Sequence, residues 1–94
     1  MEQRRGGLSQ SPAGYTPPQG QYLAFIRAYS LIHREAPAEA DMQRFFLVSP
    51  PSVHQMVLTL ERRGFINRVP GQARSIRVLL PPQDLPPLEE PPEA

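Results

Sequence analysis

The residues able to do chemistry gather between positions 49 and 74 of a 94-residue chain. Ser49, Pro51, Ser52, His54 and Gln55 open the stretch SPPSVHQMVLTLERRGFINRV. Short hydroxyls, an imidazole and an amide can exchange hydrogen bonds with the edges of base pairs, and glutamine pairs at two points with adenine. The same residues would also suit an ordinary solvated helix face. Thr59, Arg62, Arg63, Arg68, Gln72 and Arg74 follow. These types grip phosphate oxygens and backbone, which fixes position without reading sequence. For Arg62 and Arg63 the competing reading is compensation of a helix dipole. Elsewhere the inventory is sparse. His33 and His54 are the only histidines, and neither has a carboxylate at ligand spacing in the sequence. There is no cysteine, no glycine-rich phosphate loop and no Ser/His/Asp set resembling a triad. The expectation is a protein that is not an enzyme and that uses no metal and no cofactor.

These side chains need elements to position them. Ser49 suits a helix N-cap and Pro50 and Pro51 suit the first turn, where a missing N–H leaves nothing unpaired. Val53, Met56, Val57 and Leu60 recur at i, i+3, i+4 and i+7, one apolar stripe. Arg62 and Arg63 fall in the last turn, and Gly64 is placed to end the helix with a positive φ. This predicts a helix over 50–63. Upstream, Thr16-Pro17 starts a helix that runs to about Arg34, with Tyr22, Ile26, Tyr29 and His33 on one stripe and Tyr15 as a hydrophobic staple. Gly20 weakens its second turn by about 1 kcal/mol. Pro37 opens a short helix from Ala38 to about Phe46. After Gly64, residues 65–69 and 75–80 alternate as strands around a loop over 70–74, a hairpin. The order helix, short helix, helix, strand, strand predicts a mainly α fold with a small β-hairpin: a three-helix winged helix-turn-helix over 15–80. Residues 1–14 are expected to be a disordered arm, and the proline-rich acidic segment 81–94 a disordered tail.

Net charge +1 hides a division. Residues 15–80 hold eight arginines and four acids, for +4, whereas 81–94 hold four acids and no base, for −4. All ten basic residues are arginine, whose planar fork matches phosphate and guanine; codon bias of a G- and C-rich genome would leave the same mark. No apolar run is long enough to span a membrane, and the N-terminus lacks the apolar core of a signal peptide. The expected location is cytoplasmic, at the nucleoid in a prokaryote.

The chain resembles the DNA-binding domain of the LexA repressor family. The residues that carry the resemblance are Thr16-Pro17 with Gln19, Leu23 with Phe25-Ile26-Arg27, Ser49-Pro50, Leu60 with Arg62-Arg63-Gly64-Phe65-Ile66, and Val69, Gly71, Arg74 and Ile76-Arg77-Val78-Leu79. The resemblance implies a regulator of transcription on double-stranded DNA, with the helix over 50–63 in the major groove and the wing over 65–80 on the backbone. A homodimer on a two-fold site and a small accessory regulator are both compatible with it. Members of the family also have a self-cleaving domain with a Ser-Lys pair. This sequence contains no lysine, so a module without self-cleavage is expected. In the family the reading segment runs Ser-Pro-Asn-Ala with paired glutamates. Here Pro51 replaces the Asn, and His54 and Gln55 replace the acids, so a different DNA site is expected.

A second reading is a winged helix used for protein contact. Leu31, Leu47 and Leu58 fall off the core stripes, and Leu47 stands where the family usually has Gly. With the proline-rich tail they would supply a partner surface.

Overall fold

The computed structural model describes residues 13–91. The arm expected over 1–14 therefore lies outside the described residues except for Ala13 and Gly14, as do the last three residues of the tail.

Helix α1 spans Pro17–His33. Thr16 and Gln19 set its start reciprocally. The Gln19 N–H donates to Thr16 Oγ1 at 3.3 Å, and the Thr16 N–H donates to Gln19 Oε1 at 2.9 Å. Arg34 ends the helix at φ 62°. Helix α2 spans Glu39–Phe46 and helix α3 spans Pro50–Arg62. Between them Leu47 takes φ 56°, a left-handed turn that favours glycine. Ser49 caps α3 by accepting from the Ser52 N–H at 3.4 Å. At the other end Gly64 has φ 80°. Its N–H reaches the Glu61 carbonyl, and the Phe65 N–H reaches that of Leu60, both at 3.0 Å, the paired closure of a Schellman motif.

The apolar stripes meet in one core of Leu23, Ile26, Met42, Val53, Val57, Leu60, Ile66 and Ile76. An aromatic group extends it toward α2. Tyr22 stacks on Phe46 with centroids 4.3 Å apart, and Phe25 lies 4.6 Å from Phe45. Burial raises the pKa of the Tyr22 phenol.

The hairpin is shorter than expected. Strand β1 is Ile66–Asn67 and strand β2 is Arg77–Val78, antiparallel, with Ile66 opposite Val78 and Asn67 opposite Arg77. The loop between them is closed by side chains rather than by a longer ladder. The Gln72 N–H donates to the Val69 carbonyl at 3.1 Å across Pro70-Gly71, with Gly71 at φ 79°, the geometry of a type II turn. Ser75 Oγ accepts from the Val69 N–H at 2.9 Å and lies 2.9 Å from the Gln72 carbonyl. With Ser75 turned inward, its alternation with the residues after it does not extend the strand.

The tail departs most from expectation. A 3-10 turn spans Pro82–Asp84, and the chain then runs back along the N-terminal half of α1. The Tyr15 hydroxyl donates to the Asp84 carbonyl at 2.5 Å. Gln21 clasps the segment from both sides, its Nε2 donating to the Pro87 carbonyl at 3.0 Å and its Oε1 accepting from the Glu89 N–H at 2.8 Å. Leu85 and Leu88 pack on the core. Residues 82–91 are therefore a bound strap rather than a free tail. Proline makes this feasible because its fixed φ reduces the entropy lost on docking. Gly20 is explained by the same contacts. A Cβ there would lie 2.7 Å from Tyr15 Cε1 and 3.1 Å from Pro86 Cγ. Tyr15, the expected staple, lies across this glycine and meets Phe65 edge-on at 6.2 Å.

Candidate nucleic-acid interface

The α2–turn–α3 unit leaves the first two turns of α3 open to solvent. Pro51, Ser52, His54 and Gln55 are all exposed there, on the side away from Val53 and Val57. Ser49 is exposed too, but its hydroxyl is engaged locally by the Ser52 backbone and lies 3.0 Å from Ser52 Oγ. Its role is to start the helix. Gln55 carries no side-chain hydrogen bond among the described residues, so its amide is available in both polarities.

His54 is not isolated, as its sequence neighbours suggested. Its Nδ1 lies 3.2 Å from Glu39 Oε2, at the start of α2. The pairing spans the helix-turn-helix, and the His54 side chain remains 54% exposed. Among the described residues no group of three or more His, Cys, Asp or Glu is placed to hold a metal ion.

The arginines divide into two sets. Arg63 donates to Gln19 Oε1 and to the Gly14 carbonyl, both at 3.1 Å, and its guanidinium lies 5.0 Å from the Phe65 ring centroid. It joins the end of α3 to the start of α1. Arg74, at φ 58°, reaches Asp41 Oδ2 at 3.1 Å, the Tyr29 hydroxyl at 3.0 Å and the Ala36 carbonyl at 3.2 Å. The Tyr29 hydrogen bond, and behind it Asp41 and Glu35, hold the Arg74 pKa above its ordinary value. Arg68 Nε donates to Glu61 at 3.1 Å and its side chain is mostly covered. Neither Arg63 nor Arg74 is the unengaged phosphate contact that its residue type suggests. By contrast, the guanidiniums of Arg62, Arg27, Arg34 and Arg77 have no hydrogen bond or ion pair among the described residues. Of these, Arg62 is on α3, exposed near its C-terminal end, with Thr59 half-buried one turn before it. Gln72 is exposed at the tip of the wing.

Asp41 was not singled out from the sequence, yet it organises this side of the fold. It accepts from the Ala38 N–H at 2.8 Å, taking the place of a cap that Ala38 cannot supply, and it pairs with Arg44 as well as Arg74. Burial pushes its pKa up, but the Ala38 N–H and the two guanidiniums outweigh burial and hold it below the ordinary value of 3.8. The signal available in the sequence was an acid in the first turn of a short helix. The three expected exposed leucines also separate. Leu31 and Leu47 are exposed, whereas Leu58 is half-buried.

Three helices with a helix-turn-helix, a short wing behind it and an open polar start on the third helix define a winged helix-turn-helix protein. The family model described as LexA DNA binding domain matches residues 13–75, and the chain belongs to that family. It is similar to the LexA repressor of Thermosipho africanus, 34% identical over 68 residues, which cover 72% of this chain and 34% of the relative. It is 44% identical over 71 residues to the LexA repressor of Erythrobacter litoralis, covering 74% and 30%. With that of Magnetococcus marinus it shares 32% over 82 residues, covering 85% and 35%. The chain thus spans about a third of the length of the curated relatives it matches.

Proposed function

We propose that this chain binds double-stranded DNA with sequence preference and regulates transcription through that binding. The observation that carries the reading is the exposed polar start of α3, presented by a helix-turn-helix in a chain that belongs to the LexA DNA binding domain family. In this reading α3 enters the major groove. Ser52, His54 and Gln55 meet base edges, while Ser49 and Pro51 fix where the helix begins. Arg62 and Thr59 hold phosphates on one flank, and Gln72 and the mostly covered Arg68 approach the backbone from the wing. Arg63 and Arg74 act by position, one joining α3 to α1 and the other holding the wing against α2. Pro51, His54 and Gln55 replace the residues the family uses, so the preferred site differs from the family's.

A salt titration of binding to random and to selected duplexes tests this. The expected result is a linear fall of log K with log salt, about 0.9 per phosphate neutralised, together with a selected sequence that stays bound at higher salt. Stoichiometry in the same titration separates one copy per site from two. A slope near zero, or no binding at low salt, overturns the reading.

A further inference from the structure

A groove of about 750 Å³ runs between the C-terminal half of α1 and β2. It lies apart from the exposed start of α3, which contributes nothing to it. Its floor is apolar, from Leu31, Val78, Leu80 and Leu85. Its rim carries Arg27, Arg34 and Arg77, whose guanidiniums have no partner among the described residues. The one acid on the rim, Glu35, lies 3.7 Å from Arg74. The groove is also bordered by an unpaired strand edge. The Leu79 N–H donates to the Phe65 carbonyl at 2.9 Å, and Ile66 stands opposite Val78. Hydrogen-bonded and non-hydrogen-bonded pairs alternate along an antiparallel ladder. The N–H and C=O of Val78 therefore turn away from β1, and they have no hydrogen-bond partner among the described residues.

We propose that this groove docks an extended segment of another protein with alternating apolar and acidic residues, added as a third strand on the free edge of β2. Main-chain bonds to Val78 would supply the pairing. The apolar floor would take every second side chain, Arg77 would meet the acids on the opposite face, and Arg27 and Arg34 beside the floor would favour an acidic segment through its net charge. Other occupants fit less well. DNA would satisfy the arginines but cannot bury leucines beside a strand edge. A second copy placed by a two-fold axis would set Arg27, Arg34 and Arg77 against their own equivalents. Residues 1–12 of this chain carry Arg4 and Arg5 against Glu2, the wrong sign. The start of the chain's own strap, Pro82 and Leu85, lines the groove, but its Glu89 is held by Gln21 on the other half of α1.

The test is a titration of the nitrogen-15-labelled full chain with a blocked synthetic peptide of alternating valine and glutamate, followed amide by amide. The proposal expects saturable shifts at Leu31, Arg34, Arg77 and Val78, slowed exchange of the Val78 amide, and no binding of the matching valine–lysine peptide. Arg34→Glu and Arg77→Glu should each weaken the peptide about two- to fivefold while the rest of the amide spectrum is kept. The proposal is overturned if the groove amides do not shift, or if both peptides bind alike. It is equally overturned if the same amides move on adding random duplex DNA, or on concentrating the chain alone, and do not respond to the acidic peptide. None of these outcomes depends on whether α3 reads DNA.

Discussion

Arg74 Nη1 lies 3.1 Å from Asp41 Oδ2, joining the wing to the first turn of α2. Because the same carboxylate also caps α2 through the Ala38 N–H, one side chain sets both the start of a helix and the position of the wing. Asp41→Asn keeps the shape and removes the charge. Asp41→Ala also leaves the Ala38 N–H and Arg74 short of an acceptor, and should cost about 1–3 kcal/mol, read as a lower urea midpoint at neutral pH.

The pH dependence follows from the same group. The Asp41 pKa is lowered on folding, so its contribution is fully present above the ordinary value of 3.8 and is lost as pH falls through the lower folded value. Urea midpoints measured through this acid range should drop for the native chain. The drop should be shallower for Asp41→Asn, which has nothing there to protonate. Equal slopes would remove Asp41 from this role.

Arg74→Ala is expected to lower stability and to weaken DNA binding by a similar factor on every sequence, because it loosens the wing without touching a base. A melting curve and a competition assay against several duplexes read the two effects together. A selective loss on one sequence would instead make Arg74 a reader.

Gln55→Ala should leave stability within about 0.5 kcal/mol, as for most surface changes, and flatten preference at one base-pair position by about 1–3 kcal/mol. Selection of bound sequences from a randomised pool measures it. An unchanged preferred site would mean that α3 does not read through Gln55.

Ending the chain at Leu80 removes Leu85 and Leu88 from the core and leaves the Tyr15 hydroxyl without its acceptor. The melting temperature should fall by several degrees. Binding to random duplex should tighten at low salt, because Glu89 and Glu90 share a pocket with Phe45, Phe46 and Val48, immediately before the start of α3. Gly20→Ala should also destabilise, since the new Cβ meets Tyr15 and Pro86. Its penalty should shrink in the shortened chain, where only Tyr15 remains to be displaced.

The helices were legible because their signals are local. Ser49-Pro50-Pro51 and Arg63-Gly64 bracket α3 to within a residue, and Thr16 with Pro17 marks the start of α1. Alternation alone predicts longer strands, because it cannot reveal that Ser75 closes the loop or that Arg74 is drawn to α2. The roles of Arg63, Arg74 and His54 depend on Gln19, Asp41 and Glu39, acceptors far away in sequence that only the packed helices bring near. The strap is hidden in the sequence for a different physical reason. Six prolines argue against a helix or a ladder, but they say nothing about docking on Gln21, Tyr15 and a glycine that lie outside the segment.

That strap also carries a consequence for the order of events during synthesis. Its three hydrogen bonds to Tyr15 and Gln21 join residues 66 to 69 positions apart, so the last-made part of the described chain closes over the first-made helix. On a ribosome α1, α2 and α3 leave the exit tunnel ahead of Pro82, so they can meet while the Tyr15 hydroxyl still lacks its Asp84 acceptor. If the strap also docks after the helices have packed when the full chain refolds, its contacts act on the unfolding rate. In stopped-flow chevrons, deleting residues 81–94 should therefore leave the refolding limb in place and raise the unfolding limb, making the strap a kinetic latch on a domain that is already assembled.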